Sequence, residues 1–144
     1  MLTVALRYAE NFAPPCGTIA AHQELIDQYG FVWYGKLGAP VSAAVSRELL
    51  EQDSPRVLLI HSGSTDRFWA HISDISRELP ERRYVPPYYR DKVGDFHCWL
   101  KVEKLVAAPR NVMARCFVRS SGKPLSVASR HSMSPYFIVD YTEE

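Results

Sequence analysis

The period of apolar and polar positions changes several times along the 144 residues. Leu2–Arg7 is a run of strand composition, ended by the turn chemistry of residues 13–17 (Ala-Pro-Pro-Cys-Gly). From Thr18 to Tyr29 the spacing becomes helical. Ile19, His22, Leu25, Ile26 and Tyr29 recur on one side, and Gly30 follows as the stop. Residues 31–34 predict a short strand. Pro40 opens a second helix to about Gln52, with Val41, Ala44, Val45 and Leu49 apolar on one side, and Pro55 ends it. Residues 56–61 predict a buried strand, 62–66 a hairpin loop and 67–75 the returning strand. Pro80, Pro86 and Pro87 are too many for a central strand, so 80–92 reads as a long irregular loop. Beyond it, 96–106 and 112–118 predict two mated strands, and 120–124 a turn. Residues 125–130 predict an extended segment, and 136–140 a final strand or short helix. The expected architecture is a single α/β domain over residues 1–144. Its mixed sheet of about six strands curls into a partial barrel flanked by two early helices.

Composition adds bounds. The chain is 47% hydrophobic and 23% charged, an ordinary globular balance, and long enough to bury a core without staples. No apolar run approaches the roughly 20 residues that span a bilayer, so no membrane role is expected. The N-terminus has no signal-peptide pattern. Three cysteines (Cys16, Cys98, Cys116) with no CxxC fit a reducing, cytoplasmic compartment. The net charge of +1 covers an asymmetry: residues 80–130 hold 11 Lys/Arg against 4 Asp/Glu, and both flanks are acidic. Such a block can present one basic face, or mix with acids on folding.

The densest candidate chemistry lies at residues 30–38, Gly-Phe-Val-Trp-Tyr-Gly-Lys-Leu-Gly. Trp33 and Tyr34 beside Lys36, framed by three glycines, suit a flat ligand or pack in a core. The glycines predict a tight turn there, with Lys36 mobile and exposed. The loop at 80–92 interleaves Tyr84, Tyr88 and Tyr89 with Arg82, Arg83, Arg90 and Lys92. Strand alternation puts Phe68, Ala70 and Ile72 on one face and Trp69, His71 and Ser73 on the other. Trp69 and Trp99 read as core residues. The five histidines show no zinc spacing, and no GxSxG, P-loop or GxGxxG is present, so neither a metal nor a cofactor is implied. His97 and Cys98 are adjacent and would point to opposite faces of a strand. His22 reads as a satisfied, half-buried histidine.

Residues 57–62 (Val-Leu-Leu-Ile-His-Ser), a short polar loop and residues 67–72 (Arg-Phe-Trp-Ala-His-Ile) resemble the central hairpin of YTH domains. These belong, with prokaryotic EVE domains, to the PUA-like superfamily. The order fits as well: a strand and helix, a Val32-Trp33 step, a second helix, then the hairpin. Gly94-Asp95-Phe96 and the Lys123-Pro124-Leu125 segment leading to Ser129-Arg130 resemble later YTH elements. The resemblance implies a module binding DNA or RNA in which a methylated or otherwise modified base is flipped into an aromatic cage. Because the sequence shows no catalytic equipment of its own, such a module is expected to be the specificity part of a restriction, defence or RNA-modification system, with the nuclease or helicase on a separate chain.

By position, Trp33 matches the first cage tryptophan. Tyr34 stands where that family has a small hydroxyl residue, and one of Tyr84, Tyr88 or Tyr89 would replace its second tryptophan. Arg7 and Tyr8 stand where the family has a Lys-Ser pair lining the pocket, and Ser62 joins the base-binding set. Arg130 matches an arginine on the nucleic-acid backbone, and His131 replaces the usual aspartate. Lys36, Arg82, Arg83, Arg90, Lys92 and Lys123 complete the expected backbone contacts. These departures leave the base open. Two other readings stand beside this one. An ASCH-type amidohydrolase of the same superfamily would use Lys36 as base, provided that burial lowered its pKa. A plain protein-interaction module would need no site chemistry.

Overall fold

The computed structural model describes residues 1–8, 13–36, 38–61, 65–132 and 134–142, with Tyr89 described by its backbone alone. The strands are β1 (Leu2–Arg7), β2 (Val32–Lys36), β3 (Arg56–Ile60), β4 (Phe68–Ser76), β5 (Cys98–Ala107), β6 (Cys116–Val118) and β7 (Tyr136–Tyr141). They form one seven-stranded mixed sheet in the order β2-β5-β4-β3-β1-β7-β6. β1 and β3 run parallel and every other neighbouring pair antiparallel. Register shifts around Ile72 bulge β4 against β5 and so increase the local twist.

Near-continuous apolar sequence in β1 and β3 means cover on both faces, and both faces are covered. On one face, α1 (Thr18–Tyr29) and α2 (Ala43–Leu50) pack over Val4, Leu6, Val57, Leu59, Ala70, Leu100 and Val102. On the other, α3 (Leu125–His131) and the 3-10 turn Val112–Arg115 cover Ala5, Leu58, Ile60, Trp69, Phe137 and Val139. A smaller cluster of Val85 and Trp99, joined by Trp33, Tyr88, Val93 and Phe96, lies at the β2–β5 edge. Trp69 and Trp99 are both buried.

Local chemistry sets the helix ends. Gly30, at φ 88°, closes α1 and donates its N–H to the Ile26 carbonyl at 2.7 Å. α2 begins three residues after Pro40, because the Ser42 hydroxyl accepts from the Val45 N–H and makes Ser42 the cap.

Three expectations are corrected. Residues 96–106 and 112–118 are not mates. Both edges of β5 are taken by β2 and β4, so 112–115 coils as a 3-10 turn and β6 pairs with β7 at the far edge. Residues 125–130 are helical, not extended: the Val127 and Ala128 N–H groups bond to the Pro124 carbonyl, and Leu125 is buried beneath. The irregular segment resolves into 3-10 turns at Arg82–Tyr84 and Pro87–Asp95. Residues 136–140 take the strand form, since β1 offers an open edge in register from Leu2↔Asp140 to Leu6↔Tyr136.

Candidate nucleic-acid interface

The only parallel pair among the described strands ends at Arg7-Tyr8 and at Ile60-His61. In open α/β sheets the crevice beyond such carboxyl ends is the usual place for a ligand. Tyr8 extends the pairing by donating its N–H to the Ile60 carbonyl at 2.9 Å. Its ring stacks on His61 at 5.2 Å and 23°, and the His61 Nδ1 lies 3.1 Å from the Tyr8 carbonyl.

An aromatic group gathers on the face covered by α1 and α2. Tyr8 and Tyr34 are only 6% and 7% exposed. The His22 ring lies 5.1 Å from Tyr34 and 6.5 Å from Tyr88, and the Tyr88 hydroxyl donates to Thr18 Oγ1 at 3.5 Å. Burial, then the neighbouring Tyr88 and Tyr8, push the Tyr34 hydroxyl well above the usual tyrosine range. Burial lowers the His22 pKa to about 4 and outweighs its backbone hydrogen bond to Thr18. The ring is therefore neutral at physiological pH. A carbonyl can only accept, so Nδ1–H donates to the Thr18 carbonyl at 2.8 Å and Nε2 is the acceptor nitrogen.

The structure thus brings together Tyr8, Tyr34 and Tyr88 and separates the rest. Trp33 pairs across strands with Lys101, and alternation turns it to the face opposite Tyr34, where it packs against Val85 and Trp99. Trp33 and Tyr88 share that cluster. Tyr84 packs instead against Tyr29 at 5.1 Å and Phe31 at 4.7 Å. Ser62 and the Tyr89 side chain lie outside the described residues. Arg7 turns away from Tyr8: its guanidinium donates to the carbonyls of Ser129, Ser132 and Ser134 at 2.8–2.9 Å and pins the end of α3. His22 and His61 were missed as members of this group. The signal for His22 was its place on the apolar side of a helix, and for His61 its place just after a buried strand.

Lys36 is a correction. The glycines suggested a turn and an exposed lysine, but Gly35 and Lys36 lie inside β2. Gly35 makes room for the Phe96 ring, 2.8 Å from where a Cβ would stand. Lys36 is 3% exposed, donates to the Ala39 carbonyl and lies 3.9 Å over the Tyr136 ring. Burial lowers its pKa, against a smaller upward pull from Cys98. Its ammonium is not offered at the surface to a phosphate.

The basic block is also not one face. Residues 82–104 belong to the β2–β5 side of the sheet, whereas Arg119 and Lys123, between β6 and α3, and Arg130, on α3, lie toward the other edge. Arg82 pairs with Asp91 at 3.6 Å and Arg83 with Glu81 at 3.0 Å. Arg90 clips the Val85 and Arg83 carbonyls, and Lys92 is half-buried. Arg119 is held by Glu48 and Asp140. Lys123 and Arg130 are exposed.

Two cavities flank α3. One, of about 320 Å³, is lined by Arg7, His61, Arg67, Ser126, Ser129 and Arg130, among others. The other, of about 660 Å³, lies among Val45, Val118, Arg119, Ser134 and Tyr136. Trp33 lines neither.

No helix among the described residues is long and apolar enough to cross a membrane. A family model described as Pua-like matches residues 4–141. No curated protein and no solved structure matches the chain.

Proposed function

The chain belongs to the PUA-like family, whose domains are generally nucleic-acid-binding modules, and from that premise we propose that it reads a modified base at the Tyr8–Tyr34–Tyr88 group. The convergence of Tyr8, just past the end of β1, with Tyr34, Tyr88 and a neutral histidine carries this reading. A flipped base stacks on such rings with about 1–3 kcal/mol per contact, against a flipping cost of a few kcal/mol that falls for unpaired strands. One buried methyl adds about 0.8 kcal/mol. Discrimination therefore needs polar groups that penalise the unmodified edge, and the neutral His22 ring supplies fixed hydrogen-bonding polarity. Tyr88, the partly exposed member, is where the base enters, and Trp33 supports it through the shared Val85–Trp99 cluster. Arg82, Arg83, Lys123 and Arg130 meet the backbone of DNA or RNA. A separate nuclease or helicase chain would act on what is bound.

The test is a panel of single-stranded oligonucleotides, each carrying one modified base, set against its unmodified twin. At least one should bind tighter and leave chemically unchanged, and Tyr34→Ala or Tyr88→Ala should erase most of that ratio. Equal affinity across the panel would end the reading.

The buried Lys36 favours one second reading, amide hydrolysis of a modified nucleoside with Lys36 as base, because its pKa is lowered by burial. Turnover detected by mass spectrometry and abolished in Lys36→Ala would replace the reader with this enzyme.

A further inference from the structure

We propose that the cavity between the β3 end and α3 is a phosphate-binding groove built on Arg67 and Arg130. Three guanidiniums line it (Arg7, Arg67 and Arg130), and no acidic residue is among its described lining. Arg7 is committed to the carbonyls at the end of α3, so its role is to fix that helix as the groove wall while adding charge. Arg67 differs. Its Nε is buried and makes no hydrogen bond among the described residues. A buried N–H without an acceptor is costly, and an anionic oxygen in the groove would complete it. Arg130 is the exposed guanidinium at the rim. Ser126 and Ser129, on α3, add side chains that donate one hydrogen bond each. A tetrahedral phosphate offers several oxygens to converging guanidinium forks and hydroxyls, which a planar carboxylate does less well.

The groove lies on the face opposite the tyrosine group but at the same end of the sheet. His61 joins the two, lining the groove while its ring stacks on Tyr8. A chain crossing the sheet end would place a phosphate on one side of His61 and a base on the other. The groove itself does not depend on base recognition. Its ligand is a phosphate group, either an internal phosphodiester or a terminal phosphomonoester.

Inorganic phosphate titrated into the isotope-labelled protein should shift the Arg67 Nε–H resonance. It should leave that of Arg47, on the exposed side of α2, in place. Arg67→Gln with Arg130→Gln should weaken an unmodified single-stranded oligonucleotide about tenfold and lower the salt slope by about one to two. The ratio between modified and unmodified strands should stay as in the wild type. If only 5′-phosphorylated strands lose affinity, the groove holds a terminal phosphate. Equal loss with 5′-hydroxyl strands assigns an internal one. An Arg67 signal indifferent to phosphate would overturn the proposal even where the double variant fails to fold. Unchanged affinity in a folded double variant would overturn it as well. Loss of base preference with the phosphate shift intact would instead count against the tyrosine site alone.

Discussion

Gly35 shows how closely the β2 edge is packed. A Cβ at Gly35 would stand 2.8 Å from the Phe96 ring, whereas one at Gly94 would meet nothing within 4 Å. Gly35→Ala should destabilise by about 1–3 kcal/mol, as overpacking does. Gly94→Ala is the control, and equal denaturation midpoints for the two would refute this account. His22 gives a pH signature. Its folded pKa of about 4 lies below the unfolded 6.5, so the unfolded chain binds the extra proton. The stability it contributes is complete above pH 6.5 and is lost as pH falls toward 4. That loss is on the order of 3 kcal/mol. Measured at pH 7.5 and pH 4.5, His22→Gln should lose correspondingly less stability than the wild type. A parallel loss in both proteins would mean that His22 is not held neutral.

At the scale of elements, α3 depends on a partner far away in sequence. It has only seven residues, too short to persist alone, and no side chain caps its start. Arg7 of β1 donates charge-assisted hydrogen bonds to the carbonyls of Ser129 and Ser132 at the helix end and of Ser134 just beyond. Arg7→Met should therefore cost on the order of 3 kcal/mol. Hydrogen exchange should report faster opening at residues 125–131 than in α1. Uniform protection in the variant would show that burial of Leu125 alone holds the helix.

Over the whole molecule, charge placement sets the electrostatics of binding. The net charge is +1, and the basic block is divided between opposite edges of the sheet. A short single strand then engages few cations at once. With about three phosphates neutralised, the logarithm of its affinity should fall with the logarithm of salt concentration with a slope of about −2. A slope steeper than about −5 would mean that the block acts as one surface after all. A flat response would remove nucleic acid from the account.

Local pattern alone determined β1, α1, the β3–β4 hairpin and their burial, because each rests on periodicity and turn chemistry within a dozen residues. The fold class followed from their order. Tyrosines and arginines stand out in the chain as candidate site residues. Which of them meet was decided by tertiary structure. Trp33 and Tyr34 are neighbours in sequence yet face opposite sides of a strand, while Tyr8, Tyr34 and Tyr88 meet only because folding brings β1, β2 and the Pro87–Asp95 segment together. Lys36 reads as exposed until β5 pairs beside it and encloses it. Residues 112–118 read as the mate of the preceding strand until β2 and β4 occupy both its edges. Residues 125–131 become a helix through Arg7 and the buried Leu125, contacts that no local window contains. Strand neighbours and helix caps drawn from distant segments are long-range choices, and the free energy that selects them is released only when the sheet closes around its core.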